Sequence, residues 1–122
     1  MKAFEQKNIV VTGAGSGIGA ALVDVASRAG ARVWGLDISD SASEVIIKNG
    51  GEFHFCDVSA ESDWQALADK VEDSLDGIDY LFLNAGIQAA PPEAPLSEYR
   101  FEAFDSERYR RLTGVNIDGV VF

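Results

Sequence analysis

Four glycines, Gly13, Gly15, Gly17 and Gly19, punctuate the stretch NIVVTGAGSGIG, which separates a short apolar run from a segment with helical spacing. The chemistry this arrangement offers is anion binding by main-chain amides. A helix N-terminus leaves its first N–H groups unpaired and carries about half a positive charge from the aligned peptide dipoles. Phosphate is attracted to such a terminus. Glycine lets a pyrophosphate approach the backbone closely and supplies the positive φ that the turn requires. A second chemical group follows at Asp37, where a carboxylate at the end of a strand can accept hydrogen bonds from an adenosine ribose diol and would repel a 2′-phosphate. Ile38 beside it, and Ala14 and Ser16 in the turn, offer no Arg or Lys to such a phosphate. NAD is therefore favoured over NADP. The same carboxylate could instead cap a helix or lie on the surface.

These groups need strands and helices to hold them. Ile9, Val10 and Val11 read as a strand buried on both faces, stopping at Thr12. A helix is predicted from Gly17 to Ala29, with Ala21, Leu22, Val25, Ala26 and Ala29 as its inward stripe and Gly30 as its terminator. The second strand, Arg32 to Leu36, follows directly. Strand, helix and strand in so few residues imply a right-handed parallel crossover. A second helix is predicted from Ser39 to Asn49, with Val45, Ile46 and Ile47 as its apolar part, stopped by Gly50 and Gly51. The third strand is Glu52 to Cys56, with Phe53 and Phe55 on one side and His54 and Cys56 on the other. His54, the sole histidine, reads as a packing or edge residue, and Cys56 as a small buried one. A third helix runs to Leu75 with Trp64, Leu67, Ala68, Val71 and Leu75 in helical register and Ser59 as its expected cap. The fourth strand, Tyr80 to Leu83, delivers Asn84, Ala85 and Gly86. Residues 87–104 hold all three prolines and read as an irregular excursion that could line a substrate entrance or be an ordinary surface loop. A last helix is expected from Asp105 or Ser106, with Tyr109, Leu112, Val115 and Val120 along one side.

Composition narrows the function classes. The chain has 122 residues, 47% of them hydrophobic and 25% charged, an ordinary mixture for one globular domain. A formal charge of -10 argues against nucleic acid and against anionic membrane surfaces, both of which need a basic footprint. One cysteine can form neither an internal disulfide nor a metal cluster, so no metal site is expected and a reduced, cytoplasmic setting is the simple reading. MKAFEQKN has no long apolar core, so neither a signal peptide nor a membrane span is expected. No linker or repeat interrupts the plan.

Read as bare pattern, the glycine turn is ambiguous. Gly15, Gly17 and Ala20 satisfy the G-x-G-x-x-G/A dinucleotide fingerprint, while Thr12, Gly13, Gly17 and Gly19 satisfy T-G-x-x-x-G-x-G; a Walker-type loop is excluded because no Gly-Lys-Ser/Thr follows. The second spacing, with Asp37, the Asp57-Val58 pair, Asn84-Ala85-Gly86 and Asn116 in order behind it, resembles the short-chain dehydrogenase/reductase family of non-extended type. Gly119 adds to the likeness, whereas Leu83 stands where the family often has a second Asn. The resemblance covers the whole chain but only the N-terminal half of the family's fold. It implies an α/β fold of Rossmann-like, doubly wound parallel type with strand order 3-2-1-4, one NAD-binding domain over residues 1–122.

The resemblance also implies roles. Thr12, Gly13, Gly15, Ser16, Gly17, Ile18 and Gly19 would form the diphosphate turn, Asp37 and Ile38 the ribose end, Asp57 and Val58 the adenine wall, and Asn84, Ala85 and Gly86 the floor beneath the second ribose. Asp57 would accept from the adenine amine, and as an alternative would start the following helix. Asn116 resembles the family's helix asparagine, which supports a water-mediated proton path; by itself a mid-helix Asn is polar packing. The family transfers a hydride between nicotinamide and an alcohol or carbonyl, using a Ser, a Tyr and a Lys four residues after it. A Tyr with an ordinary pKa near ~10 needs a nearby positive charge to work at neutral pH. Here Tyr80, Tyr99 and Tyr109 are followed at that distance by Asn84, Ala103 and Thr113. The expectation is an oxidoreductase of small alcohols and ketones, truncated before its catalytic residues and inactive in these 122 residues alone. The intact protein is expected to be a dimer or tetramer. The alternative is a non-enzymatic dinucleotide sensor or scaffold.

Overall fold

The computed structural model describes residues 3–87, 93–99 and 105–121. A four-stranded sheet runs through it in the order β3-β2-β1-β4, from β1 (Asn8–Thr12), β2 (Arg32–Asp37), β3 (Glu52–Phe55) and β4 (Tyr80–Phe82). Every pairing is parallel, and the register aligns Ile9 with Val33 and with Tyr80, and Leu36 with His54. The chain is therefore an α/β fold of Rossmann-like, doubly wound type, as its alternating pattern predicts. It reverses direction of growth at β1: two strands add on one side, then β4 adds on the other.

The apolar run of β1 feeds both faces of the sheet because alternate residues of a strand point opposite ways. Ile9 and Val11 join Val33, Val23, Ala26 and Ile46 on the face covered by α1 (Gly17–Arg28) and α2 (Ala42–Lys48). Val10 joins Trp34, Leu36, Leu67 and Leu75 on the face covered by α3 (Glu61–Ser74). Val115, from the C-terminal helical segment, packs against that second cluster.

Several local expectations are corrected. The inward line of α1 is Gly19, Val23 and Ala26, whereas Ala21 and Val25 face outward. The cause is Gly19: a Cβ there would overlap the Gly13 carbonyl, so the helix touches the turn at this residue and its rotation is fixed by that contact. Helix α2 starts at Ala42, because Ser39 and Asp40 are used in turns whose carbonyls accept from the Ala42 and Ser43 amides. Only Ile46 of its apolar trio is buried, with Val45 and Ile47 exposed. Ala60, not Ser59, occupies the N-cap of α3; the Ser59 hydroxyl donates to Asp57 at 2.5 Å. The last helix is not one continuous stripe. α4 (Ser106–Thr113) is capped by Asp105, which accepts from the Glu107 amide at 2.9 Å. It then passes into a π-helical turn over Gly114–Asp118 and ends in α5 (Gly119–Val121). Leu112 and Val115 are half-buried but Tyr109 and Val120 are exposed, and the wider turn shifts the register between Val115 and Val120. Pro91, Pro92 and most of the predicted irregular excursion lie outside the described residues; within it a short 3-10 turn spans Leu96–Tyr99.

Candidate functional site: a cleft at the C-terminal ends of β1 and β4

In an open parallel sheet a ligand crevice forms beyond the strand C-termini where the strand order reverses. That point lies between β1 and β4, and a cleft of about 420 Å³ opens there. Its volume falls in the usual range for a small-molecule site. The lining comes from the turn after β1 (Gly13, Ser16, Gly17, Ile18), the ends of β2 and β3 (Asp37, Ile38, Cys56, Asp57, Val58), the segment after β4 (Asn84, Ala85, Gly86, Ile87) and Val115.

The turn enters α1 without a side-chain cap. Ser16 at the N-cap is extended, and no side chain caps the helix, so its hydroxyl is not spent on the terminus. The first internal bond runs from the Ala20 amide to the Ser16 carbonyl at 3.2 Å, which leaves the earlier amides without a partner inside the helix. Gly17 has φ +53 and open space where a Cβ would project. Any side chain would be strained there and would fill the approach to those amides.

Behind this lining, Thr12, Gly15 and Gly19 do not reach the cleft wall; they shape it. The Thr12 hydroxyl is buried and accepts from the Asn84 and Ala85 amides, each at 2.9 Å, tying the end of β1 to the segment after β4. The Asn84 side-chain amide returns the tie by donating to the Thr12 carbonyl at 3.2 Å and the Gly13 carbonyl at 3.4 Å. Gly13 and Ala85 are in close approach, since a Cβ on Gly13 would lie 2.8 Å from the Ala85 Cα.

At the far end of the cleft, one Asp37 oxygen accepts from the Gly15 amide at 2.9 Å and the other from the Ile38 amide at 2.8 Å. Asp57 accepts from the Ser59 amide at 3.0 Å, while its own amide donates to Asp63 at 2.8 Å. Val58 is held from behind by α5, where a Cβ on Gly119 would press on it, and by the Trp64 indole, which donates to the Val58 carbonyl at 2.9 Å. Asn116 lies off the lining, in the π-helical turn, and brackets Ile87: its Oδ1 accepts from the Ile87 amide at 2.8 Å and its Nδ2 donates to the Ile87 carbonyl at 2.9 Å. An amide side chain here stands in for a strand partner of Ile87.

Three lining residues were not singled out by sequence reasoning: Cys56, Ile87 and Val115. Each is the immediate neighbour of a residue that was, so strand ends and the helix turn carried them in together. Burial, with Asp63 and Asp57 adding to it, pushes the Cys56 thiol up to about 11. The thiol is protonated at neutral pH and is not a nucleophile. His54 is not in the cleft; it stacks on Trp34 with ring centroids 3.9 Å apart. Among the described residues no group of His, Cys, Asp and Glu could hold a metal, and no helix is long and apolar enough to cross a membrane.

The cleft thus gathers an uncapped helix N-terminus, a carboxylate and apolar side chains around one space, a set whose chemistry fits a dinucleotide. Comparison with known proteins agrees with the architecture. Residues 7–122 match the family described as short chain dehydrogenase. The chain is 36% identical over 122 positions to the 2,5-dichloro-2,5-cyclohexadiene-1,4-diol dehydrogenase of Sphingobium indicum, covering 98% of this chain and 46% of that protein. It is 32% identical over 121 positions to the mitochondrial borneol dehydrogenase of Lavandula x intermedia, covering 98% and 44%. It is 32% identical over 123 positions to the meso-2,3-butanediol dehydrogenase of Serratia marcescens, covering 98% and 46%. The chain thus spans a little under half the length of these relatives, which are dehydrogenases of alcohols and diols. With its glycine turn, its 3-2-1-4 sheet and this match along nearly all its length, the chain belongs to the short-chain dehydrogenase family.

Proposed function

We propose that this chain is the dinucleotide-binding part of an NAD(H)-dependent oxidoreductase that exchanges a hydride between the nicotinamide and a small secondary alcohol or its ketone. The observation that carries the choice of NAD is Asp37: its carboxylate lines the cleft, and the described lining contains no Arg or Lys to receive a 2′-phosphate. The amides at the start of α1 would hold the diphosphate, with Ser16 and Ile18 beside it. Asp57 and Val58 would flank the adenine, and Asn84 to Gly86 would run beneath the nicotinamide ribose. Because the Ser59 amide and hydroxyl both donate to Asp57 Oδ1, Oδ2 is the oxygen left for the adenine amine.

The cyclohexadiene diol, borneol and butanediol for which the three relatives are named are secondary alcohols, which supports that substrate class. No tyrosine here has the Tyr-x-x-x-Lys spacing, so the 122 residues alone are expected to turn nothing over. Asn116 would support the proton path by fixing the backbone around it. The intact protein would be a cytoplasmic dimer or tetramer, with the last helix at an interface. Titration calorimetry on the intact protein tests the reading. NAD should bind far more tightly than NADP, and Asp37→Ala should weaken NAD much more than NADP. Absence of NAD affinity, or equal losses for both coenzymes, would overturn it.

A further inference from the structure

The carboxylate assigned to the ribose is already at work without one. Asp37 Oδ2 accepts from the Gly15 amide at 2.9 Å, and Oδ1 accepts from the Ile38 amide at 2.8 Å and the Ser39 amide at 3.4 Å. A carboxylate has about four lone-pair positions, so three main-chain donors leave roughly one, on Oδ2, for a ribose hydroxyl. The partner on the other side matters as much. Gly15 lies between the left-handed residues Gly13 (φ +64) and Gly17 (φ +53), at the crest of the turn that presents the helix amides. A Cβ on Gly15 would come within 2.8 Å of Asp37 Oδ2 and overlap the Ala42 side chain at the start of α2. The crest is thus clamped between a carboxylate and a helix. Before it, the Ala14 amide donates to the Leu36 carbonyl at 3.1 Å, so β2 holds the turn at two successive residues.

We propose that Asp37 is a positioning residue for the diphosphate site as well as a ribose ligand. Its Oδ2 latches the glycine turn onto β2 through the Gly15 amide, and affinity for the phosphates falls with the carboxylate even where no ribose hydroxyl is present. Hydrogen bonds to a charged acceptor are the stronger kind, and this one is partly buried. Deleting it frees a turn whose two positive-φ residues have many other conformations available. The proposal rests on reading the cleft as an NAD site, and it goes further: exchanging Asp37 for a small residue should not yield a clean switch to NADP, because the turn loosens together with the specificity.

The test compares wild type, Asp37→Ala and Asp37→Asn in the intact protein. Calorimetry would measure affinity for NAD and for an NAD analogue whose adenosine carries a 2′,3′-dideoxyribose, and NMR would follow hydrogen exchange at the Gly15 amide. A residue that only binds the diol has nothing to lose toward the dideoxy analogue. The latch predicts that Asp37→Ala still loses about tenfold or more toward it, the lower end of what one charge-assisted hydrogen bond contributes. It also predicts faster Gly15 exchange in Asp37→Ala, with Asp37→Asn in between because one acceptor oxygen remains. Wild-type affinity of Asp37→Ala for the dideoxy analogue, or unchanged Gly15 exchange in both variants, would overturn the latch. A wild type that binds neither dinucleotide would overturn the NAD reading instead, and the exchange measurement on the free protein would then decide the latch.

Discussion

At the scale of the residue, the cleft is held by a few side chains whose work is structural. Thr12 is the clearest. Its hydroxyl accepts from the Asn84 and Ala85 amides just after β4, of which the Asn84 amide also reaches the Phe82 carbonyl at 3.0 Å. Thr12→Val keeps the shape and removes the acceptor, so stability should fall by about 1–2 kcal/mol, the cost of leaving the part-buried Ala85 amide unpaired, with Thr12→Ser recovering most of it. Denaturant unfolding of the three proteins checks this. His54 makes a different prediction. Burial against Trp34 lowers the imidazole pKa from its ordinary 6.5, with Lys70 and Arg32 also lowering it and Glu52 opposing them. The unfolded chain then binds a proton at a pH where the folded chain does not, so stability is lost as pH falls below about 6.5 and levels off under the folded value. Denaturant midpoints for wild type and His54→Gln should diverge across that window, and parallel curves would remove the effect. Asp37, Asp57 and Asn84 all lie on the cleft lining, where they were expected: Asp37 from its place at the end of β2, Asp57 and Asn84 from the family resemblance. What Thr12 and Gly15 do was not legible, since hydrogen bonds across 72 and 22 residues of chain leave no local pattern.

Among the elements, legibility follows how far neighbours intervene. Strands β1 and β2 were readable to within a residue because both their faces are buried and an apolar run is all that such a strand needs. The rotation of α1 was not. Apolar spacing favoured Ala21 and Val25, but Gly19 must meet the Gly13 carbonyl, and a contact of backbone with backbone outranks a valine's burial. The π-helical turn at Gly114–Asp118 is a further case, and it sets the position of Asn116. Such turns recur where a side chain must be re-aimed. Here the asparagine serves as a strand mimic for Ile87. Because Ile87 can still bond to water, Asn116→Ala should cost stability only about 1 kcal/mol. Its effect should appear at the cleft instead, as faster exchange at the Ile87 amide and weaker NAD binding. Asn116→Asp keeps the acceptor for the Ile87 amide but sets a carboxylate oxygen against its carbonyl, so it should exchange more slowly than Asn116→Ala without restoring the wild type. If both variants bind NAD like wild type, the bracket has no part in shaping the site.

Across the whole molecule, the order of strands was legible because alternating strands and helices allow few topologies once crossovers are right-handed. The consequence of that order for the surface is sharper than composition implies. Tyr80, Leu81 and Phe82 of β4 are all exposed, at 45%, 46% and 36%, and Ile78, Leu83 and Val120 extend the apolar surface beside them. An open parallel edge with this character pairs readily with another chain. Against it stands a net charge of -10, which repels copies of the same polypeptide. The two effects respond differently to salt: repulsion between surface charges is screened beyond about 10 Å at 0.1 M ionic strength, whereas apolar burial and strand pairing are not weakened by screening. The 122-residue polypeptide expressed by itself should therefore self-associate, and increasingly so as salt is raised from about 0.02 M to 0.5 M. Leu81→Lys, which places a charge in the middle of the exposed edge, should keep it monomeric over the whole range. Sedimentation velocity would separate the cases. A polypeptide that stays monomeric at high salt, or a Leu81→Lys variant that associates as readily as the parent, would show that β4 is not the surface through which copies meet.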